Sequence, residues 1–363
     1  MVPDGLSIML AAGEASGDLH GAALCRALRI AAPGCRLFGM GGERMAAAGM
    51  DLLVDVTAAA AAGGTEAVSR IPLLYRAFRR LRAALDDARG PRVLVVIDFP
   101  EFNLHLARAA RRAGVRVVYF IPPQVWVWRA WRVRTIRRVI SLVLAVFPFE
   151  PALYRRAGVP VEFVGHPLLD ALAGAPKRSD ARRELGLDAR ALVIGLLPGS
   201  RREEVERVLP AMQEAVMAIG AARRDARFVL ALAPTVEAAA VERRLGAGGP
   251  VAIARDRTHA VMSAADLLLV ASGTATLEAA LLGTPMIVCY RVSRLTELMV
   301  RSLMRVPWIS LPNLTLGRAV VPELTQEAAT GERLGREALR LLDTPGALDA
   351  QRAAFRELHG QLG

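Results

Sequence analysis

The stretch Val93–Asn103, VLVVIDFPEFN, joins five consecutive apolar residues to a turn that contains an aspartate. A continuous β-branched run of this length is typical of a central strand in a parallel sheet. Asp98 would then lie at the carboxyl end of the strand, where such sheets bind their ligands. A carboxylate in that place can act as a general base toward a hydroxyl within hydrogen-bond reach. Capping of the next helix is the alternative interpretation.

The same succession of strand, turn and helix recurs on both sides of this stretch. Alternating strands and helices predict an α/β fold with parallel sheets covered by helices on both faces. We predict two Rossmann-like domains, at residues 1–168 and 169–340, and a C-terminal helix at 341–363 that packs back toward the first domain. The other apolar runs interpreted as strands lie at 6–11, 36–40, 115–121, 142–147, 161–164, 192–197, 228–233, 251–254, 266–270 and 286–290.

Composition narrows the classes of function. The chain has 363 residues, of which 53% are hydrophobic, and a formal net charge of +12. The excess of cations lies mainly in residues 1–165, which hold 22 Arg against 13 Asp and Glu. A basic face suits nucleic acid, an anionic membrane or phosphorylated substrates, and composition alone does not choose among them. No apolar stretch approaches the about 20 residues that cross a bilayer, so any membrane contact is predicted to be peripheral.

A glycine-rich turn follows the first apolar run, in the segment AGEASGDLHG at 12–21. Its glycines permit a close approach between the backbone and a ligand. Glu14 is predicted to face that ligand. Ser16 and Asp18 either line the part of the site that holds an acceptor substrate or cap the next helix. The spacing differs from the G-x-G-x-x-G dinucleotide fingerprint, which speaks against a dehydrogenase. A second candidate segment, PPQVWVWR at 122–129, places Trp126 and Arg129 as a wall for the acceptor, unless the tryptophans fill the core.

Two turns in the second half are suited to an anion, because glycine and hydroxyl residues at a helix start present backbone N–H groups. Arg201 adds a planar fork of donors that matches a diphosphate. Glu278 lies one helical turn inside the next helix, where a carboxylate can accept both hydroxyls of a ribose. Plain helix caps and a solvated helix residue are the alternatives. The residues predicted to bind the phosphorylated donor substrate are Gly199, Ser200, Arg201, Ser272, Gly273, Thr274, Thr276, Glu278 and Asn313.

A basic amphipathic pattern runs from residue 68 to residue 82, with arginines interleaved among apolar residues. This pattern is typical of a helix that lies on an anionic bilayer. An ordinary surface helix with arginine stems over its core face is the alternative. The residues predicted to face the membrane are Val68, Ile71, Leu74, Tyr75 and Phe78.

Eight ordered motifs, spread over nearly the whole chain, together resemble the lipid-A-disaccharide synthase family. Besides the segments already quoted, they include GMGGERM at 39–45, VFPFEPALYRRAGVPVEFVGHPLLD at 146–170 and LPGSRREEVERVLP at 197–210. The last two are ASGTATLEAALLGTPMIVCYR at 271–291 and LPNLTLGRAVVPELTQ at 311–326.

The resemblance implies a GT-B fold, in which two Rossmann-like domains face an inter-domain cleft. It implies inverting transfer of 2,3-diacylglucosamine from UDP-diacylglucosamine to diacylglucosamine 1-phosphate, without a metal or other cofactor. The expected location is cytoplasmic, peripheral on the anionic inner face of the bacterial inner membrane; no nucleic-acid partner is expected, and a homodimer is left open. Asp98 or Glu14 would be the base, and the Arg201 and 272–276 turns would hold the leaving UDP.

Two rival functions are weighed against this interpretation. One is another UDP-sugar enzyme of the same fold, such as an N-acetylglucosaminyltransferase or a UDP-N-acetylglucosamine 2-epimerase. The other is a non-catalytic basic protein that binds nucleic acid, which the net charge of +12 permits. However, no nucleic-acid recognition motif is present, and the strand-end carboxylates would have no purpose in such a protein.

Overall fold

The computed structural model describes residues 6–55, 71–87, 90–123, 132–246, 248–292 and 307–363. The chain divides into two compact units, Met1–Pro167 and Leu168–Gly363. Each unit contains a parallel sheet with helices between successive strands. The predicted fold class, two Rossmann-like α/β units, is therefore confirmed.

The first unit is built on a parallel sheet of seven strands within the described residues, in the order β3-β2-β1-β4-β5-β6-β7. The chain fills one side of the sheet from β1 to β3 and then crosses to β4 to fill the other. The strands β1 and β4, which pair directly, thus form the topological switch point, where open α/β sheets bind ligands. The strands are β1 (Ser7–Ala12), β2 (Arg36–Gly41), β3 (Asp51–Asp55), β4 (Val93–Ile97), β5 (Arg116–Phe120), β6 (Leu142–Ala145) and β7 (Val161–Phe163).

Helices of the first unit bury apolar side chains against this sheet. The core includes fully buried Leu81, Leu106 and Tyr119. The third helix packs on the fourth, and the fourth on the fifth, so these three form a continuous layer. The helices are α1 (Ala15–Ala31), α2 (Glu43–Ala47), α3 (Ile71–Leu85), α4 (Pro100–Arg112), α5 (Arg132–Val139) and α6 (Glu150–Arg156).

The second unit repeats the arrangement with six parallel strands among the described residues, in the order β10-β9-β8-β11-β12-β13. Its switch point lies between β8 and β11, which are directly paired. The strands are β8 (Leu192–Leu197), β9 (Ala226–Leu232), β10 (Val251–Arg255), β11 (Leu267–Val270), β12 (Met286–Tyr290) and β13 (Glu323–Thr325).

The last two helices close the second unit. The helix Gly331–Asp343 packs along the long helix Arg202–Ala222. The final helix contacts three helices of the same unit, and its Gln351 side chain accepts a 2.8 Å hydrogen bond from the backbone N–H of Met286. Its packing toward the first domain stays a prediction. The helices are α7 (Leu168–Leu172), α8 (Arg178–Glu184), α9 (Arg202–Ala222), α10 (Ala238–Leu245), α11 (Thr258–Ala264), α12 (Thr274–Leu281), α13 (Leu311–Leu316), α14 (Gly331–Asp343) and α15 (Ala347–Leu362).

The packing of helix α3 shows which of its residues predicted to face the membrane are exposed and which are not. Ile71 and Tyr75 are 60% and 63% exposed, as a membrane-facing role requires. Leu74 and Phe78 instead pack against the core, and the Phe78 ring lies edge-on to Phe102 at 6.2 Å, so their assignment to the membrane is wrong. The physical reason is that α3 needs this stripe to pack on α4. Val68 lies outside the described residues, and no described helix is both long and apolar enough to cross a bilayer.

Candidate active site

Glu14 and Asp98, the two predicted acids, lie on adjacent turns of the first unit. Because the last residues of β1 and β4 are side by side in register, the turns that follow them emerge together. The Phe99 ring lies directly against Gly13, where an added Cβ would come within 2.0 Å of a ring carbon. Only glycine permits this contact, which brings the two acid-bearing turns close together.

The backbone at Asp98 is held in an unusual conformation. Asp98 and Phe99 have φ angles of 47° and 45°, in the left-handed region that residues other than glycine rarely adopt. The Tyr119 hydroxyl donates a 3.0 Å hydrogen bond to the Asp98 carbonyl, and the Asn103 amide donates to the same oxygen at 2.8 Å. The buried Asn103 amide also lies 3.2 Å from the carbonyl of Ala11 in β1. Strain that the surroundings enforce in this way is typical of functional sites.

The sequence did not indicate Tyr119, because this residue lies within the apolar strand β5 and looks like an ordinary core residue. Asn103 was noticed only as the end of the motif around Asp98. Both residues hold the turn rather than face solvent, so we regard them as positioning residues for Asp98.

Burial, as the larger cause, and the nearby negative charge of Glu14 together raise the pKa of the Asp98 carboxyl from 3.8 to about 6. A hydrogen bond from the Phe99 backbone opposes these two effects and lowers the pKa. Asp98 is therefore mostly ionised at neutral pH, yet it is more basic than an ordinary aspartate. A general base works best when its pKa lies near the operating pH, and this carboxyl meets that condition.

Asp18 has an internal role that the sequence did not specify. One carboxylate oxygen accepts hydrogen bonds from the backbone N–H groups of Gly42 and Met45, at 2.8 and 3.1 Å, and the other accepts from Arg44 at 3.2 Å. The buried side chain thus caps the short helix α2 and fixes the turn after β2. Its predicted contact with an acceptor stays a prediction.

The other predicted acceptor residues differ in what the structure gives for them. Glu14 is the exposed N-cap residue of α1, and its side chain makes no capping hydrogen bond there. Ser16 is exposed in the first turn of the same helix. Trp126 and Arg129 lie outside the described residues.

The turn after β8 is one half of the predicted anion site. Gly199 has a φ of 118°, and a Cβ there would lie 2.7 Å from a carboxylate oxygen of Glu204. Ser200 and Arg201 are exposed at the start of α9, and the Arg201 guanidinium lies 3.4 Å from the carboxylate of Glu204. The Thr235 hydroxyl donates to the Ser200 carbonyl at 2.5 Å, which ties the turn to the neighbouring loop. The backbone of the turn is therefore held by the neighbouring loop, whereas Ser200 and Arg201 remain exposed.

The turn after β11 is the other half, and it lies beside the first because β8 pairs with β11. The Ser272 hydroxyl donates to the Ile309 carbonyl at 3.0 Å, and the Thr276 hydroxyl donates to the Gly273 carbonyl at 2.8 Å. Both hydroxyl hydrogens are thus used inside the protein, contrary to the prediction that they hold phosphate oxygens. What this turn leaves exposed toward an anion is the pair Gly273 and Thr274.

Glu278 is positioned by a residue that the sequence did not indicate. A carboxylate oxygen of Glu278 lies 2.9 Å from the Nε2 atom of His259, at the start of α11. The Glu278 side chain is only 20% exposed, so it is not an ordinary solvated helix residue. The imidazole holds the carboxylate near the turn after β11, as the predicted ribose-binding role would require.

Asn313 is buried and fully hydrogen-bonded, which corrects its assignment to direct donor contact. Its side-chain oxygen accepts from the backbone N–H groups of Val320 and Val321, at 2.7 and 2.9 Å. Its amide nitrogen donates to the Val321 carbonyl at 2.9 Å and to Glu323 at 2.8 Å. The side chain therefore holds the turn between α13 and β13 together from the inside.

Glu323, which no sequence pattern indicated, links that turn to the predicted anion site. Its carboxylate accepts hydrogen bonds from the backbone N–H groups of Ile309 and Ser310, at 2.9 and 3.0 Å, and from the Ser310 hydroxyl at 2.6 Å. The carbonyl of Ile309 is the acceptor for Ser272. A continuous chain of hydrogen bonds thus runs from Asn313 through Glu323 to the turn after β11.

Comparisons with known proteins agree with the resemblance to a known family and with the fold. A family model described as lipid-A-disaccharide synthetase matches residues 8–359. The lipid-A-disaccharide synthase of Geobacter sulfurreducens is 44% identical over 98% of this chain and 93% of its own length. A Neisseria meningitidis UDP-GlcNAc 2-epimerase, solved with UDP-GlcNAc bound, has a TM-score of 0.68 at 12% identity, covering 98% of this chain and 99% of its own. The kitacinnamycin glycotransferase has a TM-score of 0.62 at 19% identity, covering 99% and 97%.

Proposed function

The chain belongs to the lipid-A-disaccharide synthase family, and we propose that it joins two acylated glucosamine units by inverting transfer. It is a glycosyltransferase of lipid A biosynthesis. The donor is UDP-2,3-diacylglucosamine, the acceptor is 2,3-diacylglucosamine 1-phosphate, and the products are the β-1′,6-linked disaccharide 1-phosphate and UDP. The observation that carries the proposal is the half-buried Asp98 carboxyl, with a pKa of about 6, at the switch point of the first sheet.

In the proposed reaction, Asp98 takes the proton of the acceptor 6-hydroxyl while that oxygen attacks the anomeric carbon of the donor. The bond from that carbon to the UDP oxygen breaks on the opposite face, which inverts the configuration, as in inverting glycosidases that use water. Glu14 is the alternative base. We propose that Glu14 orients the acceptor instead. Its negative charge also makes Asp98 more basic by raising the pKa of that carboxyl.

The leaving diphosphate is stabilised by the second unit in this proposal. The Arg201 guanidinium and the backbone N–H groups of the turns at 199–201 and 273–274 supply hydrogen-bond donors and positive charge to the departing UDP. Glu278, held by His259, accepts the ribose hydroxyls. We propose that no metal or other cofactor takes part, so activity should persist in the presence of a chelator.

The function is tested with radiolabelled UDP-diacylglucosamine, incubated with the protein in detergent with and without diacylglucosamine 1-phosphate. Labelled disaccharide that forms only when the acceptor is present supports the proposal. Conversion of UDP-N-acetylglucosamine without any acceptor would instead assign the chain to the epimerase class. Tight, salt-resistant binding of nucleic acid without any UDP binding would favour the non-catalytic alternative.

The rate of transfer should depend on pH through Asp98. Because the ionised carboxylate is the active form, kcat/KM should fall by about tenfold per unit as the pH drops below the raised pKa of about 6. Glu14→Gln removes the nearby negative charge that raises this pKa, so its acidic limb should move to lower pH. The measurement is kcat/KM between pH 5 and 8 for both proteins. A limb that stays in place in the variant would contradict the proposed coupling.

We also propose that the protein is peripheral on the cytoplasmic face of the inner membrane and that α3 contacts the bilayer. Ile71 and Tyr75 are exposed on this helix, together with Leu73, which the sequence analysis did not single out. Replacing Ile71 and Tyr75 together by Glu should weaken sedimentation with anionic vesicles by about tenfold or more, since each loses about 1.5–3 kcal/mol of apolar burial.

Ile30→Glu is the control, compared with the single variant Ile71→Glu, because Ile30 is 83% exposed on α1 and each variant adds one negative charge. It should change vesicle binding much less. An equal loss in both variants would remove α3 from the proposed membrane contact.

A further inference from the structure

An open cavity on the first unit, between α5 and α6, is unrelated to the acids of the candidate active site. Its volume is about 380 Å³. Its lining contains four arginines and no acidic side chain. The lining residues are Val133, Arg134, Arg137, Arg155, Arg156, Ala157 and Gly158.

Within the described ranges, the four arginines of the cavity have no ion-pair partner. Across the residues that the structure describes, none of their guanidinium groups makes an ion pair or a side-chain hydrogen bond. Other arginines of the chain are paired: Arg132 lies 2.6 Å from Glu101, and Arg182 lies 2.8 Å from Asp266. Four like charges around one cavity repel one another, and an anion bound among them would relieve that repulsion.

The position of the cavity separates it from the catalytic turns. The segment with Arg155, Arg156 and Gly158 directly precedes β7, so it lies at the amino ends of the strands. Asp98 follows β4, so it lies at the carboxyl ends of the strands, on the opposite side of the unit. The arginines therefore belong to a different part of the unit from the proposed base.

We propose that this cavity binds the phosphate group of an anionic phospholipid. The planar guanidinium fork matches phosphate oxygens in a bidentate manner. The volume of about 380 Å³ lies within the usual range for small-ligand pockets, which leaves room for a headgroup around the phosphate. The helix α5 also belongs to the layer formed with α4 and α3, and α3 carries the exposed apolar residues Ile71 and Tyr75. A lipid is thus favoured over a free phosphate ion.

The inference rests on the proposed membrane association and is independent of the transfer chemistry. Failure of the arginine cavity would leave the disaccharide assay in detergent unchanged, whereas failure of the proposed reaction would leave vesicle binding unchanged. The two failures are therefore distinguishable.

The test compares two double variants of the full chain. Arg155→Gln with Arg156→Gln removes two consecutive arginines from the cavity; Arg111→Gln with Arg112→Gln removes an equal charge. Both pairs are exposed in the last turn of a helix of the first unit. We expect the cavity variant to lose about tenfold or more in partitioning to vesicles with phosphatidylglycerol, and the control less than about threefold. On phosphatidylcholine alone, the two should not differ.

Two further measurements complete the test. Arg155→Lys with Arg156→Lys keeps the charge without the planar fork, so its binding should fall between wild type and the Gln variant. An equal loss in both Gln variants would mean that the overall positive charge of the surface, and not the cavity, attracts the vesicle, and it would overturn the proposal. Calorimetric binding of glycerol 1-phosphate that needs the cavity arginines, with vesicle binding unaffected, would overturn the lipid assignment.

If the double variant fails to fold in a thermal-unfolding control, single variants replace it. Arg137→Gln alters the cavity lining, whereas the adjacent Arg138→Gln alters an exposed arginine outside it. Loss of binding only in Arg137→Gln supports the proposal, and an equal loss in both contradicts it.

Discussion

Replacing Asp98 with Asn should lower kcat for disaccharide formation by about 10²–10⁴-fold, the contribution expected of one general base. Asparagine keeps the shape of the side chain but cannot accept the acceptor proton. UDP affinity should remain within about twofold of wild type, because the proposed diphosphate and ribose contacts come from the second unit. Single-turnover rates and calorimetric UDP binding measure the two quantities. Lost UDP affinity would move Asp98 from the acceptor to the donor, and full activity would exclude it as the base.

The same variant should be more stable than wild type at neutral pH. The folded-state pKa of Asp98 is raised from 3.8 to about 6, so the folded protein favours the protonated carboxyl. That stabilisation is present below the unfolded-state pKa and is lost as the pH rises through about 6. Above this pH the ionised carboxylate opposes folding, and Asn removes the penalty. Urea unfolding at pH 5 and pH 8 should show a larger gain at pH 8; a gain that is the same at both would contradict the assignment.

Replacing Asn313 with Ala should lower the free energy of unfolding by about 3–5 kcal/mol, because several buried backbone groups lose their partners at about 1–3 kcal/mol each. Thr315→Val is the matched control. Thr315 lies in the same helix α13 and is 8% exposed, and its hydroxyl has no partner within the described part of the chain. Its isosteric replacement should be nearly neutral. Urea denaturation of the three proteins measures the difference.

UDP affinity separates this structural role of Asn313 from direct contact with the donor. Through Glu323 and Ile309, Asn313 supports the turn that carries Ser272, so its loss should weaken UDP binding together with stability. If UDP affinity falls while the free energy of unfolding stays at the wild-type value, Asn313 contacts the donor directly and the structural assignment is wrong.

The sequence was sufficient for the strands buried on both faces. The bounds of β4, β8 and β12 agree with the apolar runs from which they were predicted. The edge strands β3 and β13 were missed, because each is short and has an acidic residue at one or both ends, which leaves only two or three residues between polar neighbours. The helix α3 was recognised from its period, but the period did not say which apolar side chains face the core and which face solvent.

Local pattern alone thus determined the α/β class, the placement of Asp98 at the end of a strand and the location of the two turns predicted to bind an anion. Tertiary structure alone decided that the Glu14 and Asp98 turns are neighbours, that Tyr119 holds the second of them, and that Asp18 and Asn313 are hydrogen-bonded inward. The same is true of the four arginines gathered around one cavity. The physical reason is that strand order and side-chain hydrogen bonds join residues far apart in the chain. A period of two or 3.6 residues carries no information about such pairings.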